Sequence, residues 1–279
     1  MERAIKNILF YTLAWTILFV YLSPVLWTFV SSIQPEINII SVPPKIDFSN
    51  ATFANYIELF FGKSYESVSI RNSIVNSVIV ASLATLLSSL VGIFSSYAFA
   101  KMHFPLRNNL FLFVFSLQML PAVVIVIPLF LLFRELNLLD SYFGLALAHS
   151  TFILPVIVWI LKGFFEVFPF EIEDAAKIDG CNRLQILFKI ILPLSGPALT
   201  SVIIFSFIAS WNDFLFALVL TKTQARTVPL AVAEYMGFYQ ISYTKACASG
   251  LIAVIPTILL AMFFEKYIIK GLIRGALKA

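Results

Sequence analysis

Six stretches of this chain run for about the length of a bilayer crossing with almost no Lys, Arg, Asp or Glu: residues 8–30, 72–100, 110–133, 142–161, 193–220 and 246–265. A hydrocarbon core of about 30 Å needs about 20 helical residues at ~1.5 Å each. The charged residues inside these stretches are Asp213 and Glu265, and Glu265 ends its own. β-Barrel strands alternate in hydropathy over about 10 residues, whereas the runs LFLFVFSLQML and VIIFSFIAS do not alternate. The composition, 60% hydrophobic and 12% charged with a mean hydropathy of +0.94, lies far from the roughly 25% charge of a soluble domain. The pattern predicts an all-α, polytopic membrane protein whose six transmembrane helices form a single domain over 1–279.

Arg3 and Lys6 precede the first stretch as in a secretory signal, but a signal's apolar core is only about 7–15 residues. This one is longer and lacks an A-x-A site, so it reads as a retained helix. Of the 19 basic residues, 12 lie in segments 1–7, 101–109, 162–192 and 266–279, against 7 in the longer total of 31–71, 134–141 and 221–245. Basic residues favour the cytoplasmic side, which predicts cytoplasmic termini and a plasma-membrane location, the inner membrane in a Gram-negative cell. The net charge of +4 then reflects orientation and points to membrane lipid, not to nucleic acid. Cys181 and Cys247 fall on opposite sides and are not expected to pair.

Lipid gives helices no hydrophobic reason to associate, so small residues mark their contacts. Ala84, Ser88, Gly92, Ser96 and Ala100 recur every four residues along the second stretch. Packing within the subunit is the simpler reading of this ridge, and a seam with another subunit is the alternative. Pro121, Pro128, Pro155 and Pro256 each delete a backbone donor and are expected to kink their helices.

The segment 162–192 departs from the rest. Pro169 stops one helix; Glu171, Glu173 and Asp174 crowd the first turn of the next, where acidic groups oppose the positive helix end. Gly180 suits a left-handed helix stop and Asn182 a new cap. The result is a helix, a turn and a second, amphipathic helix at the inner membrane surface. Ala175 and Ala176 leave the first helix closely approachable, so by pattern alone it is either an interfacial helix or a partner's docking site.

The spacing here resembles the loop of ATP-binding-cassette importer permeases: E-A-A, three residues, G, nine residues, I, one residue, L-P. Asp174-Ala175-Ala176, Gly180, Ile190 and Leu192-Pro193 reproduce it. Asp174 replaces the usual Glu, with Glu173 beside it to supply the reach, and Asp179-Gly180-Cys181 resembles the family's D-G-A. SWNDFLFALVLT from Ser210, TVPLAVA from Thr227, TFANYIELF from Thr52 and FFEKYIIKGLIRGALKA from Phe263 are similar to the carbohydrate-uptake class of these permeases. The resemblance implies a heterodimer with a second permease, two ATPase subunits beneath, a solute-binding protein above and a sugar as cargo. It makes 166–192 a cytoplasmic coupling loop, with ATP and magnesium bound by the ATPases and no cofactor in this chain.

No enzyme site is expected. Gly62-Lys63-Ser64 mimics the end of a P-loop, but Ile57 stands where its first glycine belongs. Two histidines, His103 and His149, give no metal-ligand spacing. Asp213, preceded by Trp211 and Asn212, is the one charge well inside a stretch, and the three are candidates for the substrate pathway, with a structural hydrogen bond for Asp213 and an interfacial place for Trp211 as the alternatives. In the last outer loop Glu234, Tyr235, Phe238 and Tyr239 resemble the family's contact with the binding protein, an interfacial aromatic belt being the plainer alternative. The competing function, a transporter or channel working without ATP, usually shows internal repeats and several intramembrane charges; neither is evident.

Overall fold

The structure, a computed structural model, describes residues 2–237 and 242–276, and the regular elements among them are helical. In order they are α1 (Glu2–Ser32), α2 (Glu36–Ile40), α3 (Ala54–Phe61), α4 (Tyr65–Lys101), α5 (Arg107–Ser116), α6 (Ala122–Glu135) and α7 (Tyr142–Phe165). There follow α8 (Phe170–Ile178), α9 (Arg183–Ile186), α10 (Leu192–Leu194), α11 (Gly196–Trp211), α12 (Leu215–Leu220), α13 (Val228–Glu234) and α14 (Tyr243–Ala276). The chain divides into two compact units, Met1–Arg71 with Ala231–Ile255 and Asn72–Leu230 with Pro256–Ala279.

Four helical segments are long and apolar enough to cross a bilayer: Lys6–Ser32, Ser67–Lys101, Tyr142–Phe165 and Tyr243–Phe264. The other two predicted spans are bent. Arg107–Met119 meets Ala122–Glu135 at 99°, and Arg183–Leu194 meets Gly196–Trp211 at 84°, so the count is four, or six if each bent pair is one span. At the first bend Pro121 supplies no amide hydrogen and forces the preceding Leu120 into an extended conformation, φ −75° and ψ 125°. Pro128, Pro155 and Pro256 instead lie inside continuous helices. The stretch predicted as one helix over 193–220 is interrupted twice, at Ser195 before Gly196-Pro197 and again at 212–214 between α11 and α12.

In the larger unit α4 packs on α7 through the small-residue ridge. Ala84, Ser88, Gly92, Ser96 and Ala100 are all buried. A Cβ on Gly92 would stand 2.4 Å from Ile157 Cγ2, so only glycine lets the two helices come this close. Ser96 Oγ donates to Gly92 O at 2.6 Å and reaches Val158 O across the contact at 3.3 Å. The ridge is therefore a contact within the subunit. Ile153, Ile157, Leu161 and Phe165 of α7 continue the core.

The smaller unit is held by capping. Glu36 accepts from the Tyr243 and Thr244 amides at 2.7 and 3.1 Å and so starts α14, while Lys245 pairs with Glu58 at 2.7 Å. Gly62, the P-loop mimic, ends α3, and its carbonyl accepts from Arg71 at 2.8 Å. That position serves a helix end.

Candidate functional site

The segment after α7 folds as a helix, turn and helix. Pro169 precedes α8, and Glu171 and Glu173 occupy its first turn. At its end Gly180 takes φ +83°, with Gly180 N donating to Lys177 O at 3.0 Å and Cys181 N to Ala176 O at 2.9 Å. These two bonds close the helix in a Schellman arrangement that favours glycine at this position. Asn182 and Gln185 then cap each other's backbone at 2.9 and 2.8 Å to begin α9. A π-helical turn, Leu187–Ile191, leads into α10, which carries Leu192 and Pro193.

α8 is two-faced. Glu173 and Ala176 turn inward, whereas Asp174, Ala175, Lys177, Ile178, Asp179 and Gly180 are exposed. Asp174 and Lys177 form a solvent-exposed pair at 2.7 Å. Below them Ile186, Leu187 and Ile191 are buried, Ile190 and Leu192 are half-buried, and Pro193 is exposed. Glu173 therefore does not extend the reach of Asp174: consecutive helical residues point about 100° apart, and Glu173 faces the bundle. Its Oε1 lies 3.5 Å from Lys101 Nζ, and both side chains are almost fully buried. Lys101, at the end of α4, also donates to Phe168 O at 2.5 Å and sits 4.4 Å from the centre of the Phe170 ring. Sequence reading passed over this lysine as one orientation charge among several; its position at the end of an apolar helix was the available signal. Ile178, an aliphatic side chain 87% exposed on the α8 surface, was missed as well.

Near the other end of α4 the segment after α12 is held from two sides. Asp140 accepts from the amides of Lys222, Thr223, Gln224 and Ala225 at 2.9 to 3.2 Å. Asn76 donates to the carbonyls of Gln224 and Arg226 at 3.0 and 2.9 Å and accepts from Tyr142 at 3.0 Å. Ser77 Oγ accepts from Val228 N at 2.8 Å. Burial alone would raise the Asp140 carboxyl, but the backbone amides of 222–225 outweigh it and hold the pKa at about 2. Further on, Glu234 is exposed and Tyr235 is buried; Phe238 and Tyr239 lie outside the described residues.

The two broken spans meet at a cavity of about 220 Å³ lined by Gln118, His149, Phe152, Ile153, Val156, Phe205, Ala209, Asp213 and Phe216. Asp213 Oδ1 accepts from Phe216 N at 3.0 Å and Ala217 N at 3.4 Å, capping α12 after the break. His149 of α7 shares a 2.6 Å hydrogen bond through Nδ1 with Ser210 Oγ. Its Nε2 lies 3.2 Å from Asp213 Oδ1 without the alignment of a hydrogen bond. Gln118, at the other break, donates to Phe152 O. Trp211 does not line this space: it is buried and stacked on Phe207 at 5.9 Å. Asn212 is exposed. Of the three residues expected on the pathway, Asp213 alone borders the cavity. No group of three metal-ligating side chains occurs among the described residues.

Residues 84–274 match the family described as binding-protein-dependent transport system inner membrane component. A trehalose transport system permease protein of Mycobacterium tuberculosis is 36% identical over 92% of this chain and 92% of its own. The trehalose/maltose transport system permease protein of Thermococcus litoralis is 34% identical over 99% of each. Among solved structures, a chain of a bacterial ABC transporter that imports the acidic polysaccharide alginate superposes with a TM-score of 0.73 at 24% identity, covering 96% of this chain and 98% of that one. These matches extend over nearly the whole sequence, and the chain belongs to the inner membrane components of binding-protein-dependent transport systems, as a multi-pass permease.

Proposed function

We propose that the chain is one transmembrane subunit of an ATP-driven importer for a sugar or oligosaccharide delivered by an extracytoplasmic solute-binding protein. Family membership and relatives named for trehalose, maltose and arabinooligosaccharides support the cargo class. The observation that carries the ATP-driven part is the α8 surface. The Asp174-Ala175-Ala176 and Gly180 spacing displays Asp174, Ala175, Ile178 and Asp179 on an exposed, glycine-ended helix, while Glu173 anchors the opposite face to Lys101. Such a helix suits a cleft on a partner ATPase, with Ile190, Leu192 and Pro193 joining it to α11.

The working complex is a second permease of the same class, two ATPase subunits carrying ATP and magnesium, and the binding protein, with both termini of this chain cytoplasmic. Glu234 and Tyr235, with Phe238 and Tyr239, belong to the region that meets the binding protein, and Asp213 to the wall of the pathway. Closure of the ATPases moves the coupling helix, and the bundle exchanges inward-open for outward-open. Exchange requires ATP and sugar to bind the two states with different affinity, since equal affinity shifts nothing.

Gly180→Val tests this reading. The position has open space around its Cβ but a left-handed φ, a conformation that costs an ordinary residue about 1–2 kcal/mol. Assembly with the ATPase and ATP-driven uptake are expected to fall together, and a deletion of 173–180 abolishes both. Undiminished binding and uptake in either variant would reject the assignment.

A further inference from the structure

If ATP shifts the affinity of a complex for its binding protein by some factor, the binding protein shifts the affinity for ATP by the same factor. Such coupling travels through packed contacts and stiff secondary elements. α4 is the stiffest element available. Among the four long apolar segments of the described residues, those of α1, α7 and α14 contain Pro24, Pro155 and Pro256, whereas that of α4 contains no proline. Each proline removes a backbone hydrogen bond from its helix and weakens it locally. Lys101 lies 25 residues after Asn76 on α4, roughly 37 Å at ~1.5 Å per residue, which exceeds the ~30 Å hydrocarbon core.

Both ends of this stretch hold segments that are distant in sequence. At the inner end Lys101 alone touches three points of the turn and helix that face the ATPase. These are the Phe168 carbonyl at 2.5 Å, the Glu173 carboxylate at 3.5 Å and the Phe170 ring, 4.4 Å from its centre. At the outer end Asn76, 7% exposed, donates to the Gln224 and Arg226 carbonyls, and Ser77 accepts from Val228 N. That segment runs on into α13, which ends at Glu234, on the side assigned above to the binding protein. Between the two ends Gly92 and Ser96 seat α4 on Ile157 and Val158 of α7, which limits bending of its middle. α7 is the alternative route, since the chain leads from it directly to α8, but Pro155 interrupts its hydrogen bonding.

We propose that α4 transmits movement between the coupling helix and the outer segment 222–228, with Lys101 and Asn76 as positioning residues at its two ends. The inference rests on the importer function above and adds which helix carries the coupling. A sideways displacement of α8 pulls on Lys101, the unbroken helix passes it to Asn76, and the segment before α13 moves with it.

The test uses the complete complex, with companion permease, ATPases and binding protein, in lipid nanodiscs. The affinity of the binding protein is measured with and without the magnesium complex of adenylyl-imidodiphosphate, and the ratio of the two affinities is the coupling. In the parent this ratio departs from one by at least about fivefold, the lower end of ordinary allosteric coupling. Three variants interrupt α4 at different places. Lys101→Met with Glu173→Gln releases the inner end without stranding a buried charge. Asn76→Ala releases the outer end, while Asp140 still holds the amides of 222–225. Leu86→Pro, at a position 63% exposed between them, breaks the helix and touches neither end. Each assembled complex is expected to bind the nucleotide as the parent does and to show a ratio within about twofold of one. Leu86→Ala keeps the parent ratio. Any assembled variant of the three that retains the parent ratio overturns the proposal, as does a Leu86→Ala complex that loses it. The two end variants leave the helix itself intact, so they decide the matter even where Leu86→Pro fails to assemble. A parent ratio of one contradicts the importer reading beneath the proposal instead.

Discussion

The two ends of α4 hold carboxylates in opposite ways. At the Lys101 end, Glu173 is buried against a single ammonium 3.5 Å away, and that ammonium is shared with the Phe168 carbonyl and the Phe170 ring. Toward the other end, beside Asn76, the half-buried Asp140 is surrounded by four backbone amides, while Asn76 donates to carbonyls of the same segment. A buried ion pair depends on both partners being present, because removing one strands the other's charge. An amide nest spreads the same task over many weak contacts and belongs to the backbone. The Lys101 end is thus the one a single substitution can undo, and it is the end attached to α8.

Lys101→Met should break the comparison most severely. It leaves Glu173 buried without its cation, a situation that costs about 3–5 kcal/mol. Thermal unfolding of the detergent-solubilised complex is expected to shift down accordingly, and the double variant Lys101→Met with Glu173→Gln should recover much of the loss. No recovery would mean that the ion pair is not what holds α8 to α4.

Gly92→Val acts between the two ends. The added carbons meet Ile157 at under van der Waals distance, and overpacking of this kind costs about 1–3 kcal/mol. Separation of α4 from α7 should also weaken transport, measurable as uptake per assembled complex. Full stability in the valine variant would show that the helices slide apart without penalty.

Asp140→Asn gives the smallest effect, about 1 kcal/mol, since an amide keeps one acceptor and loses the charge assistance. Its pH signature is specific. The folded carboxyl lies at about 2, below its ordinary value of 3.8, so its contribution is complete above about pH 4 and is lost as the pH falls through about 2. Melting temperatures of the parent should therefore converge on those of the variant between pH 4 and 2, and remain a constant interval above them at higher pH.

What the sequence disclosed follows from the range of each interaction. The apolar stretches are local, and their existence was legible from the absence of charge. So were the helix–turn–helix signals at Pro169, Gly180 and Asn182, because caps and left-handed turns act within a few residues. The break at Pro121 was legible only as a kink. The one at 212–214 was hidden because Asn-Asp inside an apolar run reads as a polar anomaly until α12 is seen to use Asp213 as its cap. The pairs Lys101–Glu173, Asp140 with 222–225 and His149–Asp213 were illegible for a different reason. Each joins residues more than sixty positions apart, and only the packing of α4, α7 and α11 brings them together. Glu173 and Asp174 show the cost: adjacent acidic residues looked interchangeable in the motif, yet one faces the core and the other the surface.

The central claim, that the α8 surface is where an ATPase drives this permease, is tested most directly by site-specific cross-linking. Ala175→Cys in a chain with Cys181 and Cys247 replaced by serine would be treated with a short thiol-reactive cross-linker in the assembled complex. The account predicts a product joining this chain to the ATPase subunit, with a yield that changes on adding ATP. A complex that transports sugar yet yields no such product from the exposed α8 face would contradict it.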